Sequence, residues 1–316
     1  MINRELIRIK IVQLTYAYYQ NGNNNLENAE KELLYSLDKA YDLYNYLLDL
    51  IVAITDVAAK RTEIAINRHN RGEGPMPSTR LAMNKFAAQL KDNDALAKWR
   101  ETQRSTWTDD VTTVRKVLDI IEQSEIYQEY INRPDEPEYS DDRELWRKLY
   151  KTFIIDNEAL DILLEEKSLY WNDDKAVIDT FVLKTIKRFD EANGAAQELL
   201  PEFKDPDDRA FAVKLFRTTI LHADEYQKYM TNTSRNWDFS RLAYMDVVIM
   251  QIAIAEMLTF PAIPVSVTIN EYVDLAKNYS TPKSGRYING MLDAIARMLS
   301  ESGKMLKPMP EKQQRY

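Results

Sequence analysis

The stretch Ile263-Pro264-Val265-Ser266-Val267-Thr268-Ile269-Asn270-Glu271-Tyr272-Val273-Asp274-Leu275-Ala276-Lys277-Asn278-Tyr279-Ser280 decides the fold. Pro264 stands where a helix begins, a position at which its missing N–H costs nothing. Apolar residues then recur at helical spacing: Val267, Val273 and Ala276 are predicted to share one face, with Ile269, Tyr272 and Leu275 beside it. Thr281-Pro282 ends the helix, because the residue before a proline is pushed away from helical angles. Ser284 is a cap candidate for the next helix. Gly290 lies inside that helix, where glycine costs about 1 kcal/mol relative to alanine, and so predicts close approach of another helix or chain. Asn270 and Asn289 are poor helix-interior residues; both read as polar contacts to buried backbone groups between helices, with direct ligand contact as the alternative.

Working outward, helical periodicity predicts helices over 208–222, 224–231, 240–259, 265–279 and 284–299. At the other end, Leu6, Ile9, Val12, Tyr16 and Tyr19 mark a helix over 2–20, stopped by Asn21-Gly22-Asn23-Asn24-Asn25. A long second helix follows, with an apolar stripe through Leu33, Leu37, Tyr44, Leu48, Ile51 and Ile54 to about residue 67. Gly72-Glu73-Gly74-Pro75-Met76-Pro77 breaks it. Shorter periodic pieces fill 81–189, and two polar, proline-bearing joints lie at 132–137 and 201–208. With 7 glycines and 11 prolines in 316 residues, turn signals are few and no segment reads as β. The expected class is all-α.

Composition narrows the function. The chain lacks cysteine, which removes disulfides, thiolate metal sites and a cysteine nucleophile. Its two histidines, His69 and His222, have no glutamate three residues before them, so the di-iron bundle motif is absent. There is no His-Glu-x-x-His, phosphate loop or Gly-x-Gly-x-x-Gly. Glu165-Glu166 and Asp173-Asp174 read as solvated faces, and Trp99, Trp107, Trp146 and Trp171 as core anchors. No catalytic residue, metal or cofactor is expected. Arg4, Glu5, Arg8 and Lys10 interrupt any secretory signal over 1–16, and Gln251 and Glu256 interrupt the most apolar run at 247–260. The expectation is a soluble cytoplasmic protein with no membrane partner. The net charge of −8 is uneven: residues 21–200 hold −11, while 1–20 hold +2 and 201–316 hold +1. The acidic excess belongs to the middle of the chain.

Several ordered matches resemble the NusB family of transcription antitermination factors. They are Ile263-Pro264, Ile269-Asn270-Glu271, Leu275-Ala276-Lys277, and Tyr287-Ile288-Asn289-Gly290 followed by Leu292-Asp293. Asn236-Trp237, Arg241 and the apolar run from Val247 to Met257 with Glu256 resemble the family's central helix. Asp208 to Ile220 resembles the helix before it, and Arg8, Val12-Gln13 and Tyr16 resemble the first. The resemblance implies a helical bundle of two packed three-helix groups. It is formed here by 1–20 and 200–303 and completed by part of 26–51. Residues 52–199 would then be an inserted acidic helical region, and 304–316 a flexible tail.

The resemblance also implies function. The first helix and the start of the last would bind boxA-like single-stranded nascent RNA, with Arg4, Arg8, Lys10, Gln13, Tyr16, Lys283, Arg286, Tyr287 and Asn289 as site residues. The ribosomal protein NusE would be the partner, met by Arg235, Trp237, Arg241, Tyr244 and Glu256 within an RNA polymerase antitermination complex. Arg4 and Arg8 are i, i+4 neighbours on a helix, and clustered cations give salt-dependent affinity for phosphates. The chain departs from its relatives in having Glu5, Leu6 and Ile7 where many carry a dense arginine run. A competing reading is a helical scaffold that has lost RNA binding and uses its acidic insertion as the contact surface.

Overall fold

A computed structural model describes residues 1–22, 25–233, 242–305 and 307. Among these residues it is helical throughout, with no β-strand and one isolated parallel bridge between Ile2 and Phe203. The chain forms two compact units. A terminal unit holds Ile2–Leu37 and the chain from Phe203 onward; a middle unit holds Asp38–Glu202.

The terminal unit contains α1 (Arg4–Gln20), the beginning of α2 (Leu26–Asn70), α10 (Asp208–Leu221), α11 (Ala223–Thr233), α12 (Tyr244–Thr259), α13 (Val265–Tyr279) and α14 (Ser284–Glu301). The middle unit holds the rest of α2 with α3 (Lys85–Lys91), α4 (Asp94–Thr102), α5 (Val111–Glu122), α6 (Glu125–Ile131), α7 (Tyr139–Leu149), α8 (Glu158–Lys167) and α9 (Lys175–Arg188). A π-helical turn continues α7 over Tyr150–Ile154, and a 3₁₀ segment spans Glu191–Ala196. The sequence placed the changeover between core and insertion at residues 51 and 52; the compact units change at 37 and 38. α2 is one uninterrupted helix, so nothing in its apolar stripe marks where its neighbours change.

In the terminal unit, Asn3 caps α1 by accepting from the Leu6 N–H at 3.0 Å. α1 packs against both α10 and α12. Burial therefore extends around much of its circumference, taking in Leu6, Ile7, Ile9, Ile11, Val12 and Leu14. α12 is the central helix: every residue from Val248 to Met257 is buried, as expected of a helix apolar nearly all round. Each aliphatic side chain buried there contributes on the order of 1.5–3 kcal/mol. Its one buried amide, Gln251, donates to the Thr219 carbonyl at 2.9 Å and to the Tyr19 hydroxyl at 2.5 Å.

The deciding stretch folds as α13 with Pro264 at its N-cap, but on a different face from the one predicted. Val265, Thr268, Ile269, Tyr272, Leu275 and Ala276 are buried, while Val267 is 41% exposed. Three further expectations are corrected. Asn270 and Asn289 are exposed, not enclosed between helices. Gly290 is exposed too, and a Cβ there would meet nothing within 4 Å. The close approach falls one and a half turns earlier, at Gly285, where a Cβ would lie 3.2 Å from Lys277 Cγ and 3.5 Å from the Val273 carbonyl oxygen. The phase of α14 explains this: it buries Ser284, Gly285, Ile288, Met291, Leu292, Ile295, Ala296 and Leu299, which turns 289 and 290 outward.

The middle unit is built around aromatic side chains. Tyr46 stacks on Trp107 at 4.3 Å and lies 5.4 Å from Trp171. The indole N–H groups of Trp107 and Trp171 donate at 2.8 Å to the carbonyls of Tyr46 and Lys39. Trp146 is fully buried.

Candidate nucleic-acid interface

The cations of α1 divide into an inner and an outer set. Arg8 is 4% exposed. Its Nε donates to Glu256 Oε2 at 2.8 Å, its Nη2 to Glu256 Oε1 at 3.0 Å and its Nη1 to Glu271 Oε2 at 3.1 Å. Glu256 is fully buried and also accepts from Thr268 Oγ1 at 2.9 Å and the Tyr272 hydroxyl at 3.0 Å. Burial opposes the charge on Arg8, but the hydrogen bonds and proximity of Glu256 outweigh it and leave the guanidinium pKa raised. Burial, followed by the charge of Glu256, drives the Tyr272 hydroxyl well above its usual range.

These contacts correct three sequence expectations. Arg8 and Lys10, read as RNA contacts, are buried, and Glu256, read as a partner contact, is inside the unit at 0% exposure. The i, i+4 spacing of Arg4 and Arg8 did put them on neighbouring turns. That face packs inward at the second turn, and only Arg4, with its side chain 41% exposed, reaches solvent. Arg4 lies over the Phe211 ring at 4.9 Å and pairs with Asp208 at 3.2 Å. The Asp208 side chain is 3% exposed, so the pair is open to water on the arginine side alone.

Farther along α1 the outer residues are aromatic. Gln13, Tyr16, Tyr18 and Tyr19 are half-buried, with Tyr16 about 18 Å along the helix axis from Arg4. Tyr16 meets Tyr244 edge-on at 5.6 Å and 62°, and Tyr19 lies 6.4 Å from Tyr244. Tyr244 opens α12 and is 42% exposed. The sequence assigned Tyr16 to RNA and Tyr244 to a partner protein; the fold makes them one aromatic cluster. Tyr18 was not singled out in the sequence and Tyr19 entered only as part of the apolar spacing of the helix, although Tyr16-Ala17-Tyr18-Tyr19 ends that helix at a polar stop.

In the first turn of α12, Asp246 ties this cluster to the start of α14. Asp246 is 5% exposed and accepts from Ser280 Oγ at 2.6 Å and Ser284 Oγ at 2.9 Å. Ser284 also accepts from the Thr281 N–H at 3.2 Å. Expected to cap its own helix, it instead bonds backward into the turn. The α13–α14 turn is thereby pinned to the beginning of α12. Lys283, Arg286 and Asn289 project from it into solvent, and Tyr287 is half-buried beside them. Burial raises the Tyr287 hydroxyl pKa, with Asp246 adding to the effect. Arg235, Trp237 and Arg241 lie outside the described residues.

The result is a surface running from the outer half of α1, over Tyr244, to the start of α14. It offers aromatic faces, two exposed cations and an exposed amide. Such a set suits unstacked bases and phosphates. Among the described residues no group of three or more metal-ligating side chains forms a site, and no helix is long and apolar enough to cross a membrane.

Comparisons with known proteins bear on the family of the chain. The family model described as the NusB family matches residues 178–297, beginning within α9 and ending in α14. The transcription antitermination protein NusB of Salinibacter ruber is 34% identical over 132 residues, covering 40% of this chain and 82% of that protein. The NusB protein of Dictyoglomus turgidum is 40% identical over 111 residues, covering 34% of this chain and 77% of that protein. That of Dictyoglomus thermophilum is 39% identical over 107 residues, covering 33% and 74%. No solved structure matches the chain significantly. With more than two thirds of each of these relatives covered at over 30% identity, the chain belongs to the NusB family of transcription antitermination factors.

Proposed function

We propose that this protein holds a boxA-like single-stranded segment of nascent RNA jointly with the ribosomal protein NusE. In doing so it promotes processive transcription of ribosomal RNA within an RNA polymerase antitermination complex in the cytoplasm. The supporting observation is the continuity of Tyr16, Tyr244 and the α14 start through Asp246. Tyr16, Tyr244 and Tyr287 supply faces on which bases stack, Lys283 and Arg286 meet phosphates, and Gln13 and Asn289 hydrogen-bond base edges. Arg4 adds a phosphate contact at the opposite end of α1. Arg8, enclosed by Glu256 and Glu271, positions α1 and touches no RNA. NusE adjoins Tyr244 and the segment carrying Arg235, Trp237 and Arg241. No bond is made or broken, so the role is that of an adaptor.

The test is a fluorescence-anisotropy titration of boxA RNA, with and without NusE, on the wild type and on Arg286→Ala and Tyr16→Ala. The expected result is tighter binding with NusE and weaker binding in both variants. RNA affinity that neither responds to NusE nor falls in either variant would overturn the proposal.

A further inference from the structure

The outer face of α10 is unlike the surface just described. Arg209, Val213, Arg217 and Leu221 recur every four residues along it, alternating cation and aliphatic. α10 borders a shallow groove of about 820 Å³ whose other wall is the beginning of α2, with Glu30 and Leu34 one turn apart. Leu34 and Val213 contribute to an apolar floor, and Leu221 at the end of the groove is 63% exposed. Lys214 joins Arg209 and Arg217 on the rim. Among the described residues the single acidic one in the lining, Glu30, is already engaged by Arg217 Nη1 at 2.6 Å. Arg209 and Lys214 have no carboxylate partner among the described residues.

We infer that this groove is a docking site for an acidic amphipathic helix of a partner protein. The cationic rim selects a negatively charged occupant, and the floor then decides its class. Single-stranded RNA is gripped largely by stacking bases on aromatic side chains, and among the described residues no aromatic side chain lines this groove. An aliphatic floor between two helices is instead the surface onto which a third helix lays its i, i+3, i+4 and i+7 side chains. Helix α10, 14 residues long, extends about 21 Å, so an occupant of about four turns spans it. Acidic side chains flanking its apolar stripe meet Arg209 and Lys214. No residue lining this groove belongs to the set proposed for boxA RNA, and the two are tested independently.

The probe is a fluorescein-labelled helical peptide of about four turns, with leucines in a single stripe and glutamates on both flanks. A glutamine-flanked version serves as its control. Anisotropy is read for the wild type, for the double charge reversal Arg209→Glu/Lys214→Glu, and for Leu221→Asp, all at exposed positions. Thermal melting verifies each fold. The expected result is saturable binding that weakens about tenfold with either variant, with the glutamine version or at raised salt. boxA RNA affinity should be unchanged in these variants, and Arg286→Ala should leave the peptide unaffected. A glutamate peptide that does not bind, or binds the variants equally well, overturns the inference. So does a loss of RNA affinity in place of peptide affinity, which would make the groove part of an RNA path.

Discussion

Arg8 and Arg286 lie in the same compact unit, one folded away and the other standing in solvent. Arg8 sits among Glu256, Glu271 and Tyr272 and joins α1 to α12 and α13. Arg286 projects from the first turn of α14, beyond a turn that Asp246 has already secured. The contrast teaches that positive charge near the two ends of this chain has been divided between two tasks. Inside, it specifies how helices meet; outside, it is left available to a ligand. Counting basic residues along the sequence merges the two.

The largest expected effect comes from breaking the inner pair. Arg8→Ala leaves Glu256 buried without its cation and should cost about 3–5 kcal/mol in chemical denaturation. Replacing both partners by apolar residues of similar volume, Arg8→Met with Glu256→Leu, should cost less than the two single changes summed, although Thr268 and Tyr272 then lose their acceptor. A loss in the double variant equal to the sum of the two single losses would show that the pair carries no mutual interaction. The next effect distinguishes two glycines of α14. Gly285→Val should cost about 1–3 kcal/mol through collision with α13. Gly290→Ala should raise stability by up to about 1 kcal/mol, since its site is open and alanine is the better helix former.

Comparable to Gly285→Val is Asp246→Ala, which releases the serines of the α13–α14 turn and should cost about 1–3 kcal/mol. It should also weaken RNA binding, because the α14 start is no longer held beside Tyr244. The smallest effect on stability belongs to Lys283→Ala and Arg286→Ala, each within about 0.5 kcal/mol of wild type in melting. These should nonetheless flatten the salt dependence of RNA binding, by about 0.7 in log–log slope for each phosphate no longer neutralised. An unchanged slope would remove both residues from the interface.

The helical class, the Pro264 start and the ends of α13 and α14 were all legible, because proline and helical periodicity act locally. The direction in which a helix faces was less so. Val267, Asn289 and Gly290 were assigned inward, yet their orientation is set by which neighbours α13 and α14 pack against. Arg8 was misplaced for a sharper reason. Its spacing from Arg4 is visible, but its counter-ion stands 248 positions away and reads, in sequence, as an isolated glutamate in an apolar run. Tyr16 and Tyr244 could be nominated separately; only the packing of α1 on α12 makes them one cluster.

The span between Arg8 and Glu256 also bears on how the protein is made. A chain emerging from the ribosome at about 5–20 residues per second exposes α1 roughly 12–50 s before Glu256 exists. During that interval the guanidinium has no counter-ion, and the aliphatic face of α1 has neither α10 nor α12 to cover it. Asp38–Glu202 is complete before α10 is synthesised, so the middle unit has all its residues while α1 still lacks its partners. α1, translated well before α12, is thus among the last of these helices to reach its final place, and truncated chains ending before α12 should display it to chaperones.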